Sequence, residues 1–145
     1  MRTTIQGDAH VLSLEIGEEL IESILSYADR EKISAASISA IGAIRSFELG
    51  YYVLDRKEYL RKKVDGIAEL ISCDGNLALK EDKPFVHLHV AAGLSDFSVI
   101  GGHLFSGIVA VSAEVVLRPM PNPMNRSFSN ATGLYLLDLL PWKAF

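Results

Sequence analysis

Apolar and polar positions follow two rhythms along the chain, and the switch between them marks out its elements. Val11 to Glu15 alternates over a short stretch, with Leu12 and Leu14 sharing a side, and reads as an opening strand. From about Glu18 to Arg30 the apolar residues Leu20, Ile21, Ile24, Leu25 and Ala28 recur at helical spacing. Glu18 and Glu19 suit the positive end of that helix's dipole, and Gly17 lies where the chain enters it. After the helix the period becomes two. Ala35 to Ile41 is β-like and Gly42 breaks it; Ile44 to Leu54 follows, with Phe47, Leu49, Tyr51 and Val53 on one face. Tyr59 to Val64 is a weaker, charged strand, ended by the turn signal Asp65-Gly66. Ile67 to Cys73 and Leu77 to Leu79 flank Asp74-Gly75-Asn76, a turn or bulge signal, and Lys80 to Pro84 reads as a polar loop. Three strands then come in close succession: Phe85 to Ala92, Ser98 to Phe105, and Ile108 to Arg118. Pro119, Pro121 and Pro123 stop the run, since proline has no N–H to give to a ladder, and Gly133 to Leu140 forms a last strand. The expected fold is α+β: a single domain over residues 1–145, with a largely antiparallel twisted sheet, one main helix and short flanking elements.

Composition agrees with that picture and removes several classes. With 49% hydrophobic and 22% charged residues, the chain is that of a folded domain and not a disordered tail. No repeat, low-complexity segment or linker interrupts it. The opening residues MRTTIQGDAH carry no apolar segment with a cleavage site, and no apolar run reaches membrane-spanning length, so a secretory signal and a spanning helix are not expected. The single Cys73 rules out an intramolecular disulfide and a thiolate zinc cage, and fits a cytoplasmic setting. The net charge is −4. The densest basic run, Arg56-Lys57 with Arg61-Lys62-Lys63, would alternate between faces of a strand, which describes a solvated edge or hairpin better than a nucleic-acid groove binder.

The chemistry concentrates in Phe85-Val86-His87-Leu88-His89-Val90. Side chains two apart on a strand share a face, so His87 and His89 lie side by side while Val86, Leu88 and Val90 face the core. The next strand folds back around Gly93 to Asp96 and carries His103. If paired positions sum to 190 or 192, His103 lies opposite His87 or His89; a sum of 191 turns it to the wrong face. The apolar pattern leaves this register open, because Val99-Ile100 and Leu104-Phe105 place bulk on both faces, while Gly101-Gly102 suits a bulge or a close approach. Phe105-Ser106-Gly107-Ile108 has the form of a two-residue hairpin, which would set His103 opposite Ala110 and Val99 opposite Glu114. Ser112, Glu114 and Arg118 would then share the histidine face, with Val109, Val111, Ala113, Val115 and Leu117 as an apolar stripe opposite. Three neutral imidazoles with an open position are the ligand set of zinc or another divalent transition metal. Glu114 is then the expected acid/base or ligand-orienting group, and Arg118 the expected carboxylate clamp. The competing reading makes the histidines exposed polar or subunit-interface residues. His10 reads as structural or surface.

Several stretches resemble one family. Gly17-Glu18-Glu19-Leu20, Ile41-Gly42-Ala43, Leu49-Gly50-Tyr51-Tyr52 and Gly75-Asn76-Leu77 occur in order with Pro84 to His89, Gly101-Gly102-His103-Leu104 and Glu114 to Pro119. This series is similar to the plants-and-prokaryotes-conserved (PPC) domain over nearly the whole chain. The resemblance implies a homotrimer and a fold akin to acetolactate decarboxylase, which holds zinc through a similar His-x-His and a later His. On that analogy His87, His89 and His103 take the ligand roles and a small carboxylate-bearing molecule is the ligand. Plant members add an AT-hook that grips DNA, and bacterial relatives are labelled as DNA-binding; this chain has no Arg-Gly-Arg-Pro hook and no basic tail. The alternatives to a metal protein are a DNA-binding regulator and a plain interaction module, with Ile67, Leu70 and Ile71, which read equally as core, in the segment matching the one that mediates partner contacts in plant relatives.

Overall fold

The computed structural model describes residues 1–139. The chain runs β1 (Arg2–Gln6), β2 (Ala9–Glu15), α1 (Leu20–Arg30), β3 (Ala36–Val53), a short 3-10 turn, β4 (Glu58–Lys80), β5 (Lys83–Gly93), β6 (Val99–Pro119), β7 (Asn125–Ser129) and β8 (Leu134–Asp138). It is mostly antiparallel sheet with one helix, as the alternation predicted.

The sheet follows the order β1-β2-β6-β3-β4-β7-β8, and β5 pairs with both β4 and β6. Because β3 also pairs with both β4 and β6, those four strands close into a ring of ladders. Residues turned to the core side, among them Leu70, Leu88, Val90 and Leu104, are buried. The helix α1 packs on β5 and β6. Its Leu20, Ile24, Tyr27 and Ala28 join Leu12, Leu14, Val109, Val115 and Leu117 in one core cluster. Burying a leucine such as Leu88 contributes roughly 1.5–3 kcal/mol. The helix starts two residues later than its periodicity suggested because Glu19 is its cap: the carboxylate accepts from Glu22 N at 2.6 Å.

Long strands replace the short ones expected. Gly42 does not end a strand: it sits in a β-bulge at φ +148° while β3 continues to Val53. Asp65-Gly66 and Asp74-Gly75-Asn76 do not turn either, and both lie inside β4. Gly75 is there for close approach, since a Cβ would stand 1.8 Å from the His87 carbonyl oxygen on β5. The polar loop is a tight turn, with Lys80 paired to Lys83 and both Glu81 and Asp82 at positive φ, as a type I′ turn demands. The hairpin at Phe105 to Ile108 is absent. Neither Ser106 nor Gly107 takes the positive φ such a turn needs, and β6 runs straight through, paired with β3 on either side. Tyr51 and Val111, placed on apolar faces, are instead 72% and 62% exposed. β1 and β7 add to the strands foreseen, and β8 covers the last strand up to Asp138, with Leu140 outside the described residues.

Candidate metal centre

The three histidines come together through an even register. β5 and β6 pair with His89 opposite His103, a sum of 192, so both side chains leave the same face and His87 lies beside them two residues back. Gly101 and Gly102 permit this pairing: a Cβ on Gly101 would stand 2.5 Å from the Val90 carbonyl oxygen, and one on Gly102 2.7 Å from that of Gly50. The ring centroids are 5.0 Å apart for His87 and His89, 5.1 Å for His87 and His103, and 5.5 Å for His89 and His103. One nitrogen from each ring lies within 4.8 Å of the others.

The arrangement fits a divalent metal. Two nitrogens bound tetrahedrally to zinc at about 2.0–2.1 Å stand about 3.3 Å apart. His87 Nε2 and His89 Nε2 are 3.2 Å apart, a spacing that also suits an N–H···N bond in the metal-free protein. His103 Nδ1 is buried without a hydrogen-bond partner. Two of the rings are also in the right protonation state. Burial, then the Arg126 charge, then His89 push His87 down to about 4. Burial and the neighbouring histidines, with Arg61 and Arg126 behind them, do the same for His103. Both are therefore neutral at pH 7, as metal ligation requires.

A second set of residues surrounds the imidazoles. Asn76 and Asp74 on β4 pair with His87 and His89. Arg126 on β7 is 9% exposed; its Nη2 donates to Asn76 Oδ1 at 2.7 Å and its Nη1 to the Tyr135 carbonyl at 3.1 Å. The same Nη2 lies 3.5 Å from His87 Nδ1, so its main effect on that ring is electrostatic. His103 is flanked by Tyr59 and Phe105, with centroids at 5.1 and 4.7 Å, and the Arg61 guanidinium stacks 3.7 Å above the Phe105 ring. Gly50, opposite His103, leaves room for those rings, since a Cβ there would stand 2.5 Å from Phe105 and 2.7 Å from Tyr59. None of these neighbours was singled out from the sequence. The parallel pairing of β7 with β4 that delivers Arg126 has no local signature.

Glu114 and Arg118 lie elsewhere. With the hairpin absent they sit further along the same strand, Glu114 paired with Ser13 and Ile41 and Arg118 with Ser37, both exposed. Glu114 is about 35 Å from His103 along β6 at roughly 3.3 Å per residue. The chain does not bring either to the histidines. His10 is structural, its Nδ1 2.8 Å from the Tyr27 hydroxyl, tying β2 to α1.

Comparison with known proteins sharpens this. A metal-containing protein of Archaeoglobus fulgidus is 38% identical, covering 96% of this chain and 99% of its own, with a TM-score of 0.86. A plant- and prokaryote-conserved (PPC) protein of Pyrococcus horikoshii is 33% identical over 97% of both chains, with the same TM-score of 0.86. A protein of Bacteroides thetaiotaomicron, named as a candidate DNA-binding protein, is 26% identical over 94% of this chain and 96% of its own, with a TM-score of 0.91. No protein with a curated description matches the sequence. The Plants and Prokaryotes Conserved (PCC) domain matches residues 1–121, and the chain belongs to that family.

Proposed function

We propose that the chain is a cytoplasmic, homotrimeric metal-binding protein that holds zinc or another divalent transition metal on His87, His89 and His103. Beside that metal it takes a small carboxylate-bearing molecule. The observation that carries this reading is the convergence of three imidazole nitrogens within 4.8 Å of one another. The depressed proton affinity of His87 and His103 and the metal-containing relative at 38% identity support it. Imidazole donors suit zinc, copper, iron and nickel rather than calcium or magnesium. Such a metal, when bound, supplies Lewis acidity toward a carbonyl and lowers the pKa of a bound water. The chain's own residues hold His87 and His103 neutral, orient the three histidines through the β4–β5–β6 ladders and crowd His103 with aromatic rings.

Elemental analysis of purified, metal-loaded protein tests the assignment. We expect about one divalent ion per chain, lost in His87→Ala and His103→Ala and kept in His10→Ala. No metal above buffer in the wild type, or equal metal in all variants, overturns it. A catalytic part for Glu114 and Arg118 requires a neighbouring copy to bring them to the histidines. The relative named as a candidate DNA-binding protein motivates a second reading. A salt titration of DNA affinity decides it: no measurable binding at low ionic strength removes that reading.

A further inference from the structure

Next to the histidines lies a pocket of about 370 Å³ lined by Lys80, Phe85, His87, His103, Arg126 and Tyr135, among others. Its charge is one-sided. The parallel ladder between β4 and β7 pairs Lys80 directly with Arg126, so two cations stand as cross-strand neighbours. Like charges in that position destabilise a sheet unless something offsets them. Arg126 is more than nine-tenths buried, and its Nε has no hydrogen-bond partner among the described residues. Its other contacts are uncharged, the Asn76 side-chain oxygen, the Tyr135 carbonyl, His87 Nδ1 at 3.5 Å and the Phe85 ring at 5.3 Å, which satisfy donors but bring no carboxylate to the charge. Lys80 Nζ stands 4.2 Å above the Tyr135 ring and 5.6 Å from that of Phe85, and among the described residues neither it nor Arg126 forms an ion pair. The nearest acid in the sequence, Glu81, is exposed and accepts a hydrogen bond from the Tyr135 hydroxyl at 2.6 Å.

We propose that this pocket is the seat of a small carboxylate anion, with Lys80 touching the carboxylate and Arg126 supplying a fixed positive charge behind it. The proposal deepens the metal reading by naming the residues that select the ligand, and rests on that reading only for what faces the imidazoles. Phe85 and Leu134 provide apolar walls for a short hydrocarbon body. Arg126, Leu134 and Tyr135 come from β7 and β8, beyond the residues 1–121 that match the family, whereas Lys80 and Phe85 lie within them.

Calorimetric titration of metal-loaded full-length protein with glycolate, its uncharged isostere glycolamide and orthophosphate tests the seat. Glycolate should bind saturably, glycolamide at least about tenfold more weakly, as expected when one charged hydrogen bond is lost, and phosphate no more tightly than glycolate. Lys80→Met should weaken glycolate by about tenfold and Lys80→Arg should restore it. Arg126→Gln should act in the same direction, and Lys80→Met, on a less buried side chain, keeps the test open if that variant misfolds. Equal affinity for glycolate and glycolamide, tighter phosphate, or an unchanged Lys80→Met overturns the seat. Metal content measured on the same samples separates the two readings. Protein that holds no metal yet still prefers glycolate supports the seat while overturning the metal assignment.

Discussion

Gly75 shows how one missing side chain holds the centre together. A Cβ there would stand 1.8 Å from the carbonyl oxygen of His87, and both are backbone positions in paired strands, so no rotamer change relieves the clash. Gly75→Ala should cost about 1–3 kcal/mol, the usual range for overpacking, and loosen His87 at the same time. Urea denaturation and metal content, measured together, check both effects. Cys73, two residues back, faces the core, where burial and then Asp74 push its thiol up to about 12. The native thiol therefore keeps its proton while the unfolded chain releases it near the ordinary thiol value of about 9. Stability is full below pH 9 and declines as pH rises toward 12. A thiol reagent at pH 8 should label the native protein slowly and the urea-unfolded protein at once. Fast native labelling would contradict the buried placement.

Elements set what single residues cannot. The turn between β4 and β5 puts both Glu81 and Asp82 at positive φ, where an L side chain is disfavoured. Asp82→Gly should stabilise the protein by about 0.5 kcal/mol, the relief of strain less the added backbone entropy of glycine. A higher midpoint at unchanged urea slope is the expected result. Within α1, Ile24 is fully buried, and Ile24→Ala should cost about 2–5 kcal/mol. The long strands β4 and β6 were hard to read because turn-rich dipeptides lie inside them. At Gly75 the glycine answers close strand packing, and at Gly107 the backbone N–H donates to the Glu19 carboxylate at 2.8 Å, so neither marks a reversal.

For the whole molecule, exposed Ile41, Ile67, Ile71, Phe97 and Val99 leave more apolar surface than the folded chain covers by itself. Sedimentation equilibrium should give three chains of 15.9 kDa, about 48 kDa, if the proposed trimer covers part of it. A monomer mass would remove the trimer. The basic run that leads from the 3-10 turn into β4 is partly spent inside the chain. Arg56 pairs with Glu58, Arg61 with Glu48, and Lys57 donates to the Asn130 carbonyl.

The sequence by itself determined the strand-dominated fold with one amphipathic helix and the shared face of His87 and His89. Period-two and period-3.6 burial are written in local spacing. It also brought His103 in as a candidate third ligand, but only up to a choice of register. Tertiary structure made that choice, through glycine-permitted close approach of β5 and β6, and within one chain it placed Glu114 and Arg118 away from the histidines by running β6 straight through the expected hairpin. It alone brought Lys80 beside Arg126, because a parallel pairing between strands distant in sequence depends on how the ring of ladders closes and not on any neighbouring residue.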